Sequence, residues 1–110
     1  MKGNTVFDTL LGTGISATGI VAGNYVSDNR EVGIGATGIV TGNIARGHSQ
    51  RQGIVAGPGS TVIGNTATDN EMVGIVVDCP SNVTDNTAIN NPERNLILGE
   101  GCNNTNNVAP

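Results

Sequence analysis

The chain has 110 residues, a mass of 11.1 kDa and a formal charge of −4. Its 17 Gly and 15 Asn stand against one Phe, one Tyr and no Trp, too few bulky side chains for an ordinary single-domain globular core. The charge is too small for a charged disordered tail, and five scattered cations (Lys2, Arg30, Arg46, Arg51, Arg94) make no nucleic-acid-binding patch.

Read in chain order, one phrase keeps returning. Asn4-x-Val6 comes first. Then follow Gly14-Ile15-x-Ala17, Val21 and Asn24-x-Val26. The next copy is Gly33-Ile34-x-Ala36, Val40 and Asn43-x-Ala45. Gly53-Ile54-x-Ala56, Val62 and Asn65-x-Ala67 repeat it, as do Gly74-Ile75-x-Val77, Val83 and Asn86-x-Ala88. Asn95-Leu96-x-Leu98 and Asn107-x-Ala109 close the chain. The anchors Asn4, Asn24, Asn43, Asn65, Asn86 and Asn107 follow one another at spacings of 20, 19, 22, 21 and 21. A near-constant period of this size marks a solenoid.

Each unit holds three short apolar segments. They alternate with period two, are rich in β-branched residues, and are interrupted by Gly and Asn, which excludes helix. Three short strands per turn predict a parallel β-helix of about five coils, forming a single domain over 1–110 or one segment of a longer β-helix. Equivalent strands then stack at about 4.8 Å, the Ile, Val and Val/Ala columns point inward, and a narrow lumen accounts for the missing aromatics. Asn24, Asn43, Asn65 and Asn86, with Asn29, Asn70 and Asn91, are expected at corners. Gly accepts left-handed backbone there without strain, Asn tolerates it, and the Asn amide can bond along the axis. His48 falls in the column of Asn29, Asn70 and Asn91, and is read as a corner substitute rather than a catalytic base.

The phrases GIVAGPGSTVIGNTATDN (53–70) and GIVVDCPSNVTDNTAINN (74–91) carry a resemblance. They resemble right-handed parallel β-helix proteins, more narrowly the short repeats of pectin-lyase-like and NosD-like proteins. The tail over 95–110 is similar to the end of uncharacterised exported bacterial members. The resemblance covers nearly the whole chain and, with the usual hand of parallel crossovers, implies a right-handed coil. Enzymes of that superfamily cluster Asp with Arg, Lys or His on one face. Here Asp8, Asp28 and Asp69 share a column with Gly47 and Asn90, and Arg30, Arg46 and Arg51 do not align with them, so no catalytic, metal or cofactor set is recognised. Cys79 and Cys102 lie in the same inter-strand region of neighbouring coils, two positions out of phase. The residues alone leave a disulfide and two small buried thiols open, and the resemblance favours the disulfide. The start, Met1–Thr5, lacks a signal-peptide core. That leaves a cytoplasmic protein or one whose export signal has been removed, and the resemblance implies an extracellular or periplasmic parent protein.

Other patterns dissolve into the repeat. Gly33-x-Gly35-x-x-Gly38 lacks the helix a dinucleotide fingerprint needs, and the Thr columns are too irregular for an ice lattice. No apolar run approaches the roughly 20 residues of a membrane span. Strand alternation puts Val55, Val76 and Ile97 outward on one face and Ile20, Ile39 and Ile63 on another. Such stripes suggest a homo-oligomer, a trimer if faces pack and a dimer if open ends stack. The expected function is a structural or interaction module without catalysis of its own. The alternative is a carbohydrate-binding or polysaccharide-degrading module.

Overall fold

A computed structural model describes residues 1–7, 12–47 and 50–110. The described residues form thirteen strands: β1 (Thr5–Phe7), β2 (Ile15–Ala22), β3 (Tyr25–Ser27), β4 (Val32–Thr41), β5 (Ile44–Arg46), β6 (Gln52–Ala56), β7 (Thr61–Ile63), β8 (Thr66–Thr68), β9 (Val73–Val77), β10 (Asn82–Thr84), β11 (Thr87–Ile89), β12 (Arg94–Leu98) and β13 (Asn103–Thr105). Every strand pairing is parallel, and partners lie one repeat apart. The fold is a parallel β-solenoid.

The coil count is about four, where about five is expected from the repeat. Ile15, Ile34, Ile54, Ile75 and Leu96 are matched in register one after another, and five rungs bound four turns. Residues 1–7 and those after Leu98 add only partial coils.

The expected three strands per coil hold for the later coils only. β1, β3, β5, β8 and β11 stack as one five-stranded sheet. The second sheet forks. Its long strands β2 and β4 run straight through, and beyond β4 one limb continues as β6, β9 and β12, the other as β7, β10 and β13. The cause is a length change in the repeat. Between Ala36 and Ile39 stand two residues; between their register partners Ala56 and Thr61 stand four. Two extra residues cannot stay extended while both flanks remain in register, so they turn outward and split the strand.

The lumen follows the inward columns. Ile15, Ile34, Ile54 and Ile75 are buried, with Val21, Val40, Val62 and Val83, and with Val26, Ala45, Ala67 and Ala88. Leu96 and Leu98, on the last rung, are half-buried and pack against this core.

Left-handed backbone sits one residue away from the expected corner positions. The residue before each anchor Asn takes φ between 54° and 65°: Gly3, Gly23, Gly42, Gly64, Asp85 and Asn106. Asp28, Asp69 and Asn90 do the same before Asn29, Asn70 and Asn91. Gly, Asp and Asn are the residues that enter this region at least cost. The turn made there aims the following Asn side chain into the stack rather than out of it.

Candidate functional site

The anchor asparagines form a continuous internal ladder. Oδ1 of Asn65 accepts the backbone N–H of Asn43 at 3.0 Å and its Nδ2 at 2.9 Å. Nδ2 of Asn65 donates forward to Oδ1 of Asn86 at 3.0 Å and back to the carbonyl of Val40 at 2.8 Å. The same pattern links Asn4 to Asn24, Asn24 to Asn43, and Asn86 to Asn107. Each interior amide thus uses both N–H groups and both lone pairs, which is what permits a polar group in the lumen wall. Among the described residues no buried side-chain nitrogen or oxygen lacks a partner.

A second ladder runs along the opposite corner through Asn29, Gln50, Asn70, Asn91 and Asn95. Nδ2 of Asn29 donates to Oε1 of Gln50 at 3.2 Å, and Nε2 of Gln50 donates to Oδ1 of Asn70 at 2.7 Å. Asn70 and Asn91 continue with the paired bonds of the first ladder. The rung assigned to His48 therefore belongs to Gln50; His48 itself, like Asp8, lies outside the described residues. Carrying the Asn24-to-Asn43 spacing of 19 over to Asn29 lands on His48, whereas the spacing from Asn29 to its true partner is 21. Gln50 keeps the amide and adds a methylene of reach.

This ladder explains the Gly column. A Cβ on Gly33 would stand 2.7 Å from Nε2 of Gln50, one on Gly53 2.8 Å from Nδ2 of Asn70, and one on Gly74 2.5 Å from Nδ2 of Asn91. The amide crosses so close to the strand that no side chain fits. In the last coil the column holds Asn95. Its own amide takes the space, accepts from Asn91 and donates to the carbonyl of Pro110 at 2.7 Å.

Two further substitutions fall in the coil after Leu98. Asn104 pairs in register with Val83, at the end of an inward Val column. Its Oδ1 accepts from Nδ2 of Asn107 at 2.6 Å and so ends the first ladder. Cys102 follows Ser60 and Ser81 in a corner column where Ser60 N–H donates to Oγ of Ser81 at 3.1 Å. Cys102 is bonded to Cys79, with Cα atoms 5.0 Å apart, which ties the last coil covalently to the one before.

Outward positions divide along the axis. Ile20 and Ile39 are in register, but the partner of Ile39 on the next coil is Thr61; Ile63 pairs with Thr41 instead. The stripe assigned to Ile20, Ile39 and Ile63 is thus a diagonal, because the four-residue turn before Thr61 shifts the sequence count by two. All three are exposed, as are Tyr25 and Ile44, which pair with each other just past the Asn corner. In coil four the same columns read Asn82, Thr84 and Thr87. Val55, Val76 and Ile97 form one true column, and each is half-buried. Charge divides in the same way: residues 1–55 carry four Lys/Arg and three Asp/Glu, residues 56–110 one and six.

Arg46 reaches Asp69 at 3.9 Å across neighbouring coils, although the two are not in one column, and Arg51 reaches Glu31 at 3.8 Å. These exposed pairs contribute about 0–1 kcal/mol each. Among the described residues no group of three or more His, Cys, Asp or Glu could hold a metal ion, and no helix is long and apolar enough to cross a membrane. Compared with protein-family models, curated proteins and solved structures, the chain gives no match. The solenoid therefore rests on its strand pairing alone.

Proposed function

We propose that the chain is a structural, self-associating β-solenoid module. The supporting observation is the group of exposed aliphatic and aromatic side chains on the first three coils, carried by strands whose interior polar groups are already satisfied. A surface of this kind gains by being covered. A narrower placement among pectin-lyase-like and NosD-like β-helix proteins is supported by the repeated Gly-Ile and Asn phrases. Export is supported by the Cys79–Cys102 bridge, since such bonds persist in oxidising compartments. Light scattering from 10 µM to 1 mM tests the reading: a mass above 11.1 kDa at the upper end is expected, and the monomer mass throughout refutes it.

A second reading, carbohydrate binding, is favoured by one feature. An open depression of about 440 Å³ is lined by Ser16, Thr18, Gly35 and Thr37 with Ala17 and Ala36. Its hydroxyls suit a polar ligand. Calorimetric titration with oligosaccharides, with Thr37→Val as the comparison, decides this reading; absence of heat at millimolar sugar rejects it.

A further inference from the structure

We infer that the corner face formed by Ile20, Ile39, Ile63, Tyr25 and Ile44 is a two-fold interface with a second copy of this chain. The inference rests on the self-association proposed above and names its surface and symmetry.

The five side chains are 36–48% exposed and lie on the two sheet faces that meet at the Gly23-Asn24 and Gly42-Asn43 corners. Four lie on coils one and two; in coil three the columns of Ile39 and Ile44 read Thr61 and Thr66, and Ile63, in the column of Thr41, is the one apolar member. The rungs of coil four at the same columns are Asn and Thr, so the apolar face has an edge within the molecule. Stacking through the coil of Asn95 and Asn104 is not an equal alternative. There Asn95 donates to the Pro110 carbonyl, Asn107 donates to Asn104, and Cys102 is tied to Cys79. Stacking another coil there would have to break those bonds. Lateral contact through the corner face breaks nothing.

Charge selects the partner and its orientation. Residues 1–55, which carry four of the five side chains, have a formal charge of +1, and residues 56–110, which carry Ile63, −5. Two copies joined face to face by a two-fold axis bring the near-neutral halves together and leave the acidic halves at opposite ends. A parallel trimer would gather three acidic halves side by side, and a full antiparallel overlap would set the apolar face against Asn, Thr and carboxylates. An isologous pair also closes, so it yields a dimer rather than a fibre. Three rungs at about 4.8 Å span about 10 Å, which makes the contact smaller than the roughly 800 Å² per partner of a standard interface. The dimer is accordingly weak, dissociating in the micromolar range or above.

Sedimentation equilibrium of the full chain from 10 µM to 1 mM, at 0.15 M salt, tests this. The wild type should pass from monomer to dimer. Ile39→Asp and Ile20→Asp should weaken dimerisation at least tenfold with unchanged circular dichroism and melting, because both side chains point outward. Ile39→Ser serves as a milder variant should the charge disturb folding. Thr105→Asp, exposed on the same sheet two coils beyond Ile63, should dimerise as the wild type does. A wild type that stays monomeric to 1 mM overturns both this interface and the self-association reading. A dimer indifferent to Ile39 and Ile20 overturns the interface and leaves self-association standing. A trimer overturns the two-fold.

Discussion

Replacing Asn65 by Ala should cost a large share of the protein's stability, although the residue is polar and the change removes only an amide. Three groups would lose their partners: the backbone N–H of Asn43, one N–H of the Asn43 amide, and the carbonyl of Val40. Asn43 and Val40 are fully buried. An orphaned buried donor or acceptor costs about 1–3 kcal/mol, so Asn65→Ala is expected to cost about 3–9 kcal/mol. That is comparable to the whole stability of a small domain, about 5–15 kcal/mol. Asn103 is the matched comparison. Its Nδ2 also bonds an Asn one coil away, Asn82, at 2.6 Å, but on the exposed surface, where water replaces the partner. Asn103→Ala should change stability by about 0.5 kcal/mol or less. Urea unfolding followed by far-ultraviolet circular dichroism measures both. If the two variants unfold with the same free energy, to within the spread of an ordinary surface substitution, the ladder does not hold the coils together and the reasoning fails.

Asn65→Asp adds a pH signature. One carboxyl oxygen can still accept from Asn43, but the other would face the Val40 carbonyl and Oδ1 of Asn86, both acceptors. The folded state must therefore keep the carboxyl protonated, which raises its pKa above the unfolded value of about 3.9. The folded state then binds the extra proton, so the variant should lose stability relative to the wild type as pH rises from about 4 towards 7; a pH-independent difference would refute this. Val62→Asp puts an unpaired charge in the lumen and should cost about 4 kcal/mol or more, while outward Thr84→Asp should cost under about 1 kcal/mol; equal melting temperatures would mean the strand phase is wrong. Gly53→Ala sets a methyl 2.6 Å from the carbonyl of Gly74 and 2.8 Å from Nδ2 of Asn70. It should cost about 1–3 kcal/mol, whereas Gly35→Ala, where the nearest atom is 3.8 Å away, should be close to neutral by calorimetry. Reducing the Cys79–Cys102 bond releases a 23-residue loop and should cost about 3 kcal/mol by loop entropy. Hydrogen exchange should rise first in residues 94–110, and a uniform rise along the chain would count against a local staple.

Columns of like residues at a near-constant period were legible in the sequence because stacking repeats one environment at each rung. That is why Ile15 through Leu96, the Val column and the anchor asparagines were all readable. What was not legible came from changes in coil length. The lengthening between Arg46 and Gln52 moved the second ladder from His48 to Gln50. The two extra residues after Ala56 split a strand and carried Ile63 out of line with Ile39. A count from one landmark cannot say where in a coil an insertion falls, since only the strands on both sides of it keep register. Which corner residue is left-handed was not legible for a different reason. Gly and Asn are both at home in such backbone, so composition pointed to the anchors as well as to the Gly before them. Packing instead reserves the anchors for hydrogen bonding and gives the turn to the Gly, Asp or Asn before them. Asn95 and Asn104 showed a signal that could have been read: each breaks its column on the last rung alone.

The ladders also bear on how such a chain can lengthen. An interior Asn bonds only to the coil before it and the coil after it, in the same way at Asn24, Asn43 and Asn65. Duplicating one interior coil, such as 66–86, would therefore give the new rung a complete set of partners without altering any other. The final coil cannot be copied in this way. Asn95 would collide with the amide of an added rung, and Asn104 would place a polar group inside the lumen with its partner displaced. Tandem duplication of a middle coil thus leaves every other rung unchanged, whereas a copy of the coil that carries Asn95 and Asn104 would bring both breaks in the columns with it.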